Sequence, residues 1–399
     1  MRLKIVVVGG GIGGLTAAIA LARKSVDVVV LEQTPELGAA GASIDIGPNA
    51  TRLLEELEVG GLRSVGVRPD AIEFLRWRDG EVLLRVPHGA AAEEVFGSPI
   101  LDFYRPDLQR VLLDALAPSV LRLGAQVQQV QQTDGGVEAF LADGSRVSGD
   151  AIVAADGVKS PIRQHLIGAD DPVFSGTVVY RGLAPRAAVE ELHPDHVNRY
   201  WLGPRRHAVS YWIAGGELLA VNLAVQEAEW ARESWTDEAP AGEAQRYFTG
   251  WHDGIHARLG ACDTLLRGAV FVRRPLDQWS FGRITLLGDA AHAMEPFQAQ
   301  GAAQAIEDAY VLAECLGGID AEGIDDALKR YERVRTARAG ELQSSSSQAA
   351  GNFYLDDGEE QRARDEGFAG LLDRLPWGPR QPIWEHDVRH AAVHGVNLQ

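Results

Sequence analysis

The chain runs to 399 residues, too many for one simple hydrophobic core; at roughly 150 residues per domain it divides into about two or three structural units. Its 46% hydrophobic and 24% charged content is that of a globular protein, and a net charge of −18 argues against the basic footprint that nucleic-acid or anionic-membrane binding needs. Cys262 and Cys315 set no disulfide framework and fit no metal-knuckle spacing, so a small-molecule partner is expected.

Residues 3–22 carry one charge, Lys4, follow Arg2 and end in Ala-Leu-Ala, which superficially suits a secretory leader. Gly9-Gly10-Gly11 and Gly13-Gly14 oppose that reading, because each glycine inside a helix costs about 1 kcal/mol relative to alanine. A cytoplasmic protein is expected instead. Residues 5–8 form a continuous β-branched run, as in a strand covered on both faces. Gly9-x-Gly11-x-x-Gly14 follows at once, then an Ala/Leu-rich helix to about Arg23, then an apolar run over 26–31 that leads into Glu32. Strand, glycine turn, helix, strand and acid within about 30 residues make a dinucleotide-binding fingerprint of the Rossmann type. Gly9 permits the tight turn, Gly11 lets the backbone approach a pyrophosphate, and Gly14 lets the helix close on the strand. Glu32 is placed to accept from ribose hydroxyls, and an acid there disfavours the 2′-phosphate of NADP.

Further on, residues 151–155 read as a buried strand running into Asp156-Gly157-Val158-Lys159-Ser160-Pro161-Ile162-Arg163. Residues 284–287 are another, followed by Gly288-Asp289-Ala290-Ala291-His292, Pro296, Gly301 and a helix over 302–316. Asp289, at a strand end, suits a polyol hydroxyl; backbone N–H groups around Gly301 and Ala302, at a helix start, suit an anionic ring. Either acid could instead cap its turn. The three motifs in this order point to FAD, whose flavin half joins a sugar-alcohol chain to an anion-prone ring.

Residues 171–274 have a different texture, with Tyr200-Trp201 and Tyr211-Trp212 in short runs between glycine and proline turns. They read as an antiparallel meander. Alternation puts His207, Val209, Tyr211 and Ile213 on one face and Ala208, Ser210 and Trp212 on the other. His207 and Tyr211 can therefore point into one cavity, although an exposed sheet face would carry them equally. His252-Asp253-Gly254-Ile255-His256 imitates a zinc helix but has the shorter acid and a glycine, so no metal is expected. His386, His390 and His394 would share one face of a terminal helix, better read as solvated than as a metal site.

The GxGxxG with Glu32, the DGxxSxxR at 156–163, the GDAAH at 288–292 and PFQAQGAAQAIED at 296–308 together resemble the single-component FAD-dependent aromatic hydroxylases. These share the para-hydroxybenzoate hydroxylase fold, and the likeness is nearest to salicylate, 3-hydroxybenzoate and 6-hydroxynicotinate monooxygenases. It covers residues 1 to about 345. It implies an α/β protein: a discontinuous Rossmann-like FAD domain (1–70, 100–171, 272–345), an inserted mixed or antiparallel substrate sheet (71–99, 172–271), and a C-terminal helical segment (346–399) packing on the FAD domain. It implies that Arg105 contacts FAD near the ribityl–phosphate region, although Tyr104 stands where relatives have His. Gln33 and Val127 would touch the adenosine, and 156–163 would support FAD and a transient nicotinamide. His207 and Tyr211 would face the flavin as candidates for drawing a proton from the substrate. Asp45, where some relatives carry His, would line the flavin ring as a third catalytic candidate. Arg181, Arg205 and Arg206 are cations able to bind an aryl carboxylate.

The implied reaction is NAD(P)H- and O2-dependent hydroxylation of a small phenolic or heteroaromatic acid through a flavin C4a-hydroperoxide. FAD would be held without a covalent bond, NADH or NADPH would visit, and the protein would be a monomer or homodimer. An epoxidase or halogenase on the same fold, or a non-catalytic flavin-binding redox protein, are the rivals. None of the nine tryptophans forms the WxWxIP stretch of halogenases.

Overall fold

The computed structural model describes residues 2–38, 42–230 and 237–394. Its first sheet has six strands in the order Ser280–Phe281, Ile284–Leu286, Ala151–Ala154, Lys4–Val8, Asp27–Leu31 and Leu121–Arg122. Around the central strand the pairing is parallel on both sides, with Ile5 opposite Ala151 and Val28. Helices cover both faces of such a sheet, which is why residues 5–8 carry no polar alternation. Helix Ile12–Arg23 buries Leu15, Ile19 and Leu21 and packs against the long helix Gly301–Leu316. A three-stranded antiparallel sheet, Val127–Thr133, Gly136–Leu141 and Arg146–Gly149, adjoins this layer.

The second sheet has eight strands in the order Asp237–Glu238, Leu265–Val272, Val173–Pro185, Leu218–Gln226, Arg206–Ile213, Val197–Gly203, Ala71–Arg76 and Val82–Pro87. It is antiparallel except where Ala71–Arg76 lies parallel to Val197–Gly203. In the meander, Val209 sits between Tyr200 and Asn222. Tyr200, Val209, Tyr211 and Ile213 cluster on one face, and Trp201, Ala208 and Trp212 on the other. A two-stranded ribbon, Ser43–Ile46 with Leu101–Tyr104, joins the layers, since Leu101–Tyr104 also contacts Arg206–Ile213.

The C-terminal part departs from expectation. Residue 346 falls inside the 30-residue helix Ile324–Phe353, so no boundary exists there. Helix Glu359–Ala369 packs on Val82–Pro87 of the second sheet, with Phe368 and Phe74 ring centroids 5.7 Å apart. Helix Gln381–Glu385 lies on helix Pro48–Glu56 of the first layer. The tail therefore bridges both layers, because the apolar face of the second sheet needs cover as much as the first. His386 follows helix Gln381–Glu385, and the last helix begins only at Val388, so His386 and His390 do not share one helix face. The side chain of His394 lies outside the described residues. Among the described residues, no helix is long and apolar enough to cross a membrane.

Candidate active site

At the glycine turn, three positions behave differently. Gly9 has φ +109°, and a Cβ there would come 2.2 Å from the Ala155 carbonyl oxygen. A Cβ on Gly14 would come 2.0 Å from the Gly9 carbonyl oxygen. A Cβ on Gly11 would meet nothing within 4 Å. The fold itself requires glycine at 9 and 14, whereas Gly11 borders open space at an uncapped helix N-terminus, where a phosphate backbone can approach. Glu32 accepts from Gly10 N at 2.6 Å and from Thr34 N at 2.8 Å, which fixes its carboxylate at the mouth of that helix. Exposed Gln33 follows it, and Ala125 N donates to Glu32 O, bringing the strand that starts at Val127 alongside. Arg105 heads helix Arg105–Asp114, whose Gln109 donates to Gly10 O at 2.8 Å.

Asp156 follows strand Ala151–Ala154 and lies against Gly9. Burial raises its carboxyl to about 6, and Oδ1 has no protein partner. Arg163 closes the same motif: its guanidinium is fully buried, donates to the Ala290 and Ala291 carbonyls at 2.9 Å each and pairs with Asp170, so it clamps the 288–292 turn. Asp289 is exposed beside the start of helix Gly301–Leu316, 4.0 Å from where a Cβ on Gly301 would lie. That helix has no side-chain cap, leaving the Gly301 and Ala302 N–H groups for a ligand.

A buried network holds the same helix. Arg335 donates to Asp308 and Glu307 at 2.7 Å each, His292 pairs with Asp308 at 2.6 Å, and Asn49 donates to Glu307 at 2.7 Å. Burial alone would raise the Glu307 carboxyl, but Arg338 and Arg335 hold it below its ordinary value. Asn49 thereby ties the segment after Asp45 to the helix start. The open ground at Gly11, the orphaned Asp156 Oδ1, the fixed Glu32 and the uncapped helix all fit FAD.

On the second sheet, His207 is enclosed by Phe297, Phe353 and Tyr354, with ring centroids 5.7, 5.1 and 5.5 Å away. Burial lowers its pKa to about 3, and Nδ1 has no protein partner. Tyr211 donates to Ser43 Oγ at 2.7 Å, and Asn222 donates to the same oxygen at 2.9 Å. Burial, with Asp102 and Tyr200 nearby, raises the Tyr211 phenol well above its ordinary value. The expectation that either group is a ready base meets opposition from both shifts: the imidazole is a weak acceptor and the phenol stays protonated. Asp45 is buried and paired with Arg380 at 2.6 Å. A cavity of about 130 Å³ is lined by Phe74, Leu202, Phe297, Phe353, Arg380 and Trp384. Arg205 sits exposed in a turn and Arg206 donates to Tyr247 O, so neither lines this cavity. Burial, and next the charge of Arg105, lower the Arg181 guanidinium to about 10. Reasoning from motifs missed Arg380, because nothing in Trp377-Gly378-Pro379-Arg380 marks it.

Grip and cavity together define a flavoprotein that brings an aromatic ring to its cofactor. The chain matches the FAD binding domain family over residues 2–346 and belongs to it. It is 40% identical over 379 residues to 3-amino-4-hydroxybenzoate 2-monooxygenase of Streptomyces platensis, covering 94% of this chain and 95% of that one. It is 37% identical over 394 residues to 3-hydroxybenzoate 6-hydroxylase 1 of Aquipseudomonas alcaligenes, covering 94% and 96%. The solved structure of a salicylate hydroxylase substrate complex superposes with a TM-score of 0.83 at 28% identity over 98% of this chain and 97% of that one. The resemblance read from the motifs holds, and the protein is an FAD-dependent aromatic monooxygenase.

Proposed function

We propose that the enzyme hydroxylates the ring of a small phenolic or heteroaromatic acid in the cytoplasm, using O2 and NADH or NADPH. The observation that carries this reading is the meeting of the two layers at Phe297. This residue stands 5.7 Å from the His207 ring and belongs to the loop that leads into the Gly301 helix start. The first sheet then serves as the cofactor layer and the second as the substrate layer. The names of the relatives, which act on 3-amino-4-hydroxybenzoate and 3-hydroxybenzoate, support the same substrate class.

Bound FAD would carry two electrons from NADH or NADPH to O2 and so supply the activated oxygen. The chain binds, orients and dries the ring. Phe297, Phe353 and Tyr354 pack around half-buried His207 and shield its Nδ1, which can hydrogen-bond a ring substituent. An ionised phenol is a far stronger ring nucleophile than the neutral form, whose pKa is about 10. Tyr211 and half-buried Ser43 form a two-hydroxyl chain along which that proton would leave the ring for solvent water, each hydroxyl giving up one proton as it takes another, so that Tyr211 stays neutral.

The test is purification of the yellow protein, followed by NADH and NADPH oxidation against salicylate, hydroxybenzoates, 3-amino-4-hydroxybenzoate and 6-hydroxynicotinate. At least one member should accelerate oxidation and gain one oxygen atom by mass spectrometry. Acceleration by none defeats the ring-acid assignment.

A further inference from the structure

A charged cluster is buried where the ribbon, the second sheet and the tail meet. Arg380 Nη1 donates to Asp45 Oδ2 at 2.6 Å, and the side chains are 13% and 7% exposed. Asp45 faces Asp102 across the ribbon, and Asn198 donates to the wholly buried Asp102 at 2.8 Å. Burial, and next Asp45, raise the Asp102 carboxyl well above its ordinary range, and the ion pair formed is that of Arg380 with Asp45. Burial alone would lower the Arg380 guanidinium, but Asp45 and the Tyr200 phenol hold it above its ordinary value.

A guanidinium in an aromatic-walled cavity needs a reason, because burying a charge carries a penalty of several kcal/mol that pairing only offsets. Anchoring the tail is not that reason. Arg52 already donates to Trp384 O at 2.7 Å and Arg338 to Ile383 O at 3.3 Å, and Trp384 itself packs against Gly47. Asp45 engages Arg380 through one oxygen and one nitrogen, whereas the planar fork of arginine matches a carboxylate with two parallel bonds.

We propose that Arg380 is the specificity-determining cation that receives the ring carboxylate of the substrate, while Asp45 turns to accept from an O–H or N–H on the same ring. This rests on the function proposed above. The charges require the second half of the exchange: a substrate anion at Arg380 leaves Asp45 needing a donor. A ring bearing both a carboxylate and a hydroxyl or amino group supplies both, and a bare benzoate does not.

The test titrates FAD-loaded enzyme with 3-hydroxybenzoate and 3-hydroxybenzamide and follows the flavin absorbance change, without turnover. Wild type should prefer the carboxylate by about tenfold or more, and Arg380→Gln should bring the two ligands to within about twofold. Arg380→Lys should keep an intermediate preference of about threefold, as a point charge without the fork. Asp45→Asn removes the competing carboxylate and should widen the preference beyond that of wild type. Wild type without a preference, Arg380→Gln with the full preference, or Asp45→Asn with a narrowed one overturns the proposal. Should Arg380→Gln fail to retain FAD, Arg380→Lys and Asp45→Asn decide the matter. Binding is read separately from oxidation, so an enzyme that discriminates the ligands but oxidises NAD(P)H with no ring acid defeats the proposed function and not the role of Arg380.

Discussion

His207 offers a prediction that can be worked through from its surroundings. Its pKa of about 3 means that the native imidazole stays neutral down to acidic pH, whereas in the unfolded chain it takes up a proton below about 6.5. The unfolded state therefore binds more protons between pH 6.5 and 3, and stability is lost as pH falls through that window. At pH 5.0 the difference is about 1.5 pH units, or about 2 kcal/mol at 1.36 kcal/mol per unit. His207→Gln keeps a polar side chain but cannot titrate. Urea unfolding of both proteins at pH 7.5 and 5.0 should show a pH-dependent loss about 2 kcal/mol smaller in the variant, whatever the substitution costs at pH 7.5. Equal losses in the two proteins would mean that the imidazole is hydrated, and the dry cage of Phe297, Phe353 and Tyr354 would be refuted with it.

The glycines of the first turn should separate by role: Gly11→Ala should fold with a stability change below about 1 kcal/mol yet hold FAD more weakly, while Gly9→Ala and Gly14→Ala, driven into backbone atoms, should lose several kcal/mol. Equilibrium unfolding and FAD titration check this, and an unaltered FAD affinity in Gly11→Ala removes the pyrophosphate from that spot. Arg335→Met leaves the Glu307 and Asp308 carboxylates buried without their shared cation and should cost about 3–5 kcal/mol, with release of FAD on dilution as a second readout. Burial raises Glu295 to about 7, so the native state keeps a proton that the unfolded state loses above about 4.5, and stability falls as pH rises through that window. Glu295→Gln should abolish a decline of up to about 3 kcal/mol between pH 4.5 and 8, measured by urea unfolding.

What could be read from the chain was what sits close together along it. Gly9, Gly11, Gly14 and Glu32 lie within one strand–helix–strand unit, so spacing alone conveyed their geometry, and Asp289 and Gly301 likewise belong to one strand–loop–helix. Alternation along Arg206–Ile213 was enough to put His207 and Tyr211 on one face. Arg380 was hidden because its partner Asp45 is 335 residues away and no local pattern records which distant strand a tail segment will meet. The inward turn of Arg163 was hidden for a different reason: a motif names a residue type but not the direction of its side chain, and here the guanidinium reaches the carbonyls of 290 and 291.

The helix Ile324–Phe353 measures about 45 Å at 1.5 Å per residue, and its two ends serve different layers. In its first half Glu332 accepts from the Trp279 and Ser280 N–H groups, about one turn further on Arg335 braces the helix that begins at Gly301, and at the far end Phe353 closes on His207. It is a ruler laid across the molecule. One residue inserted after Arg335 would turn Phe353 through about 100° while leaving the brace in place, so the wall that Phe353 presents to His207 depends on the register of a single rod.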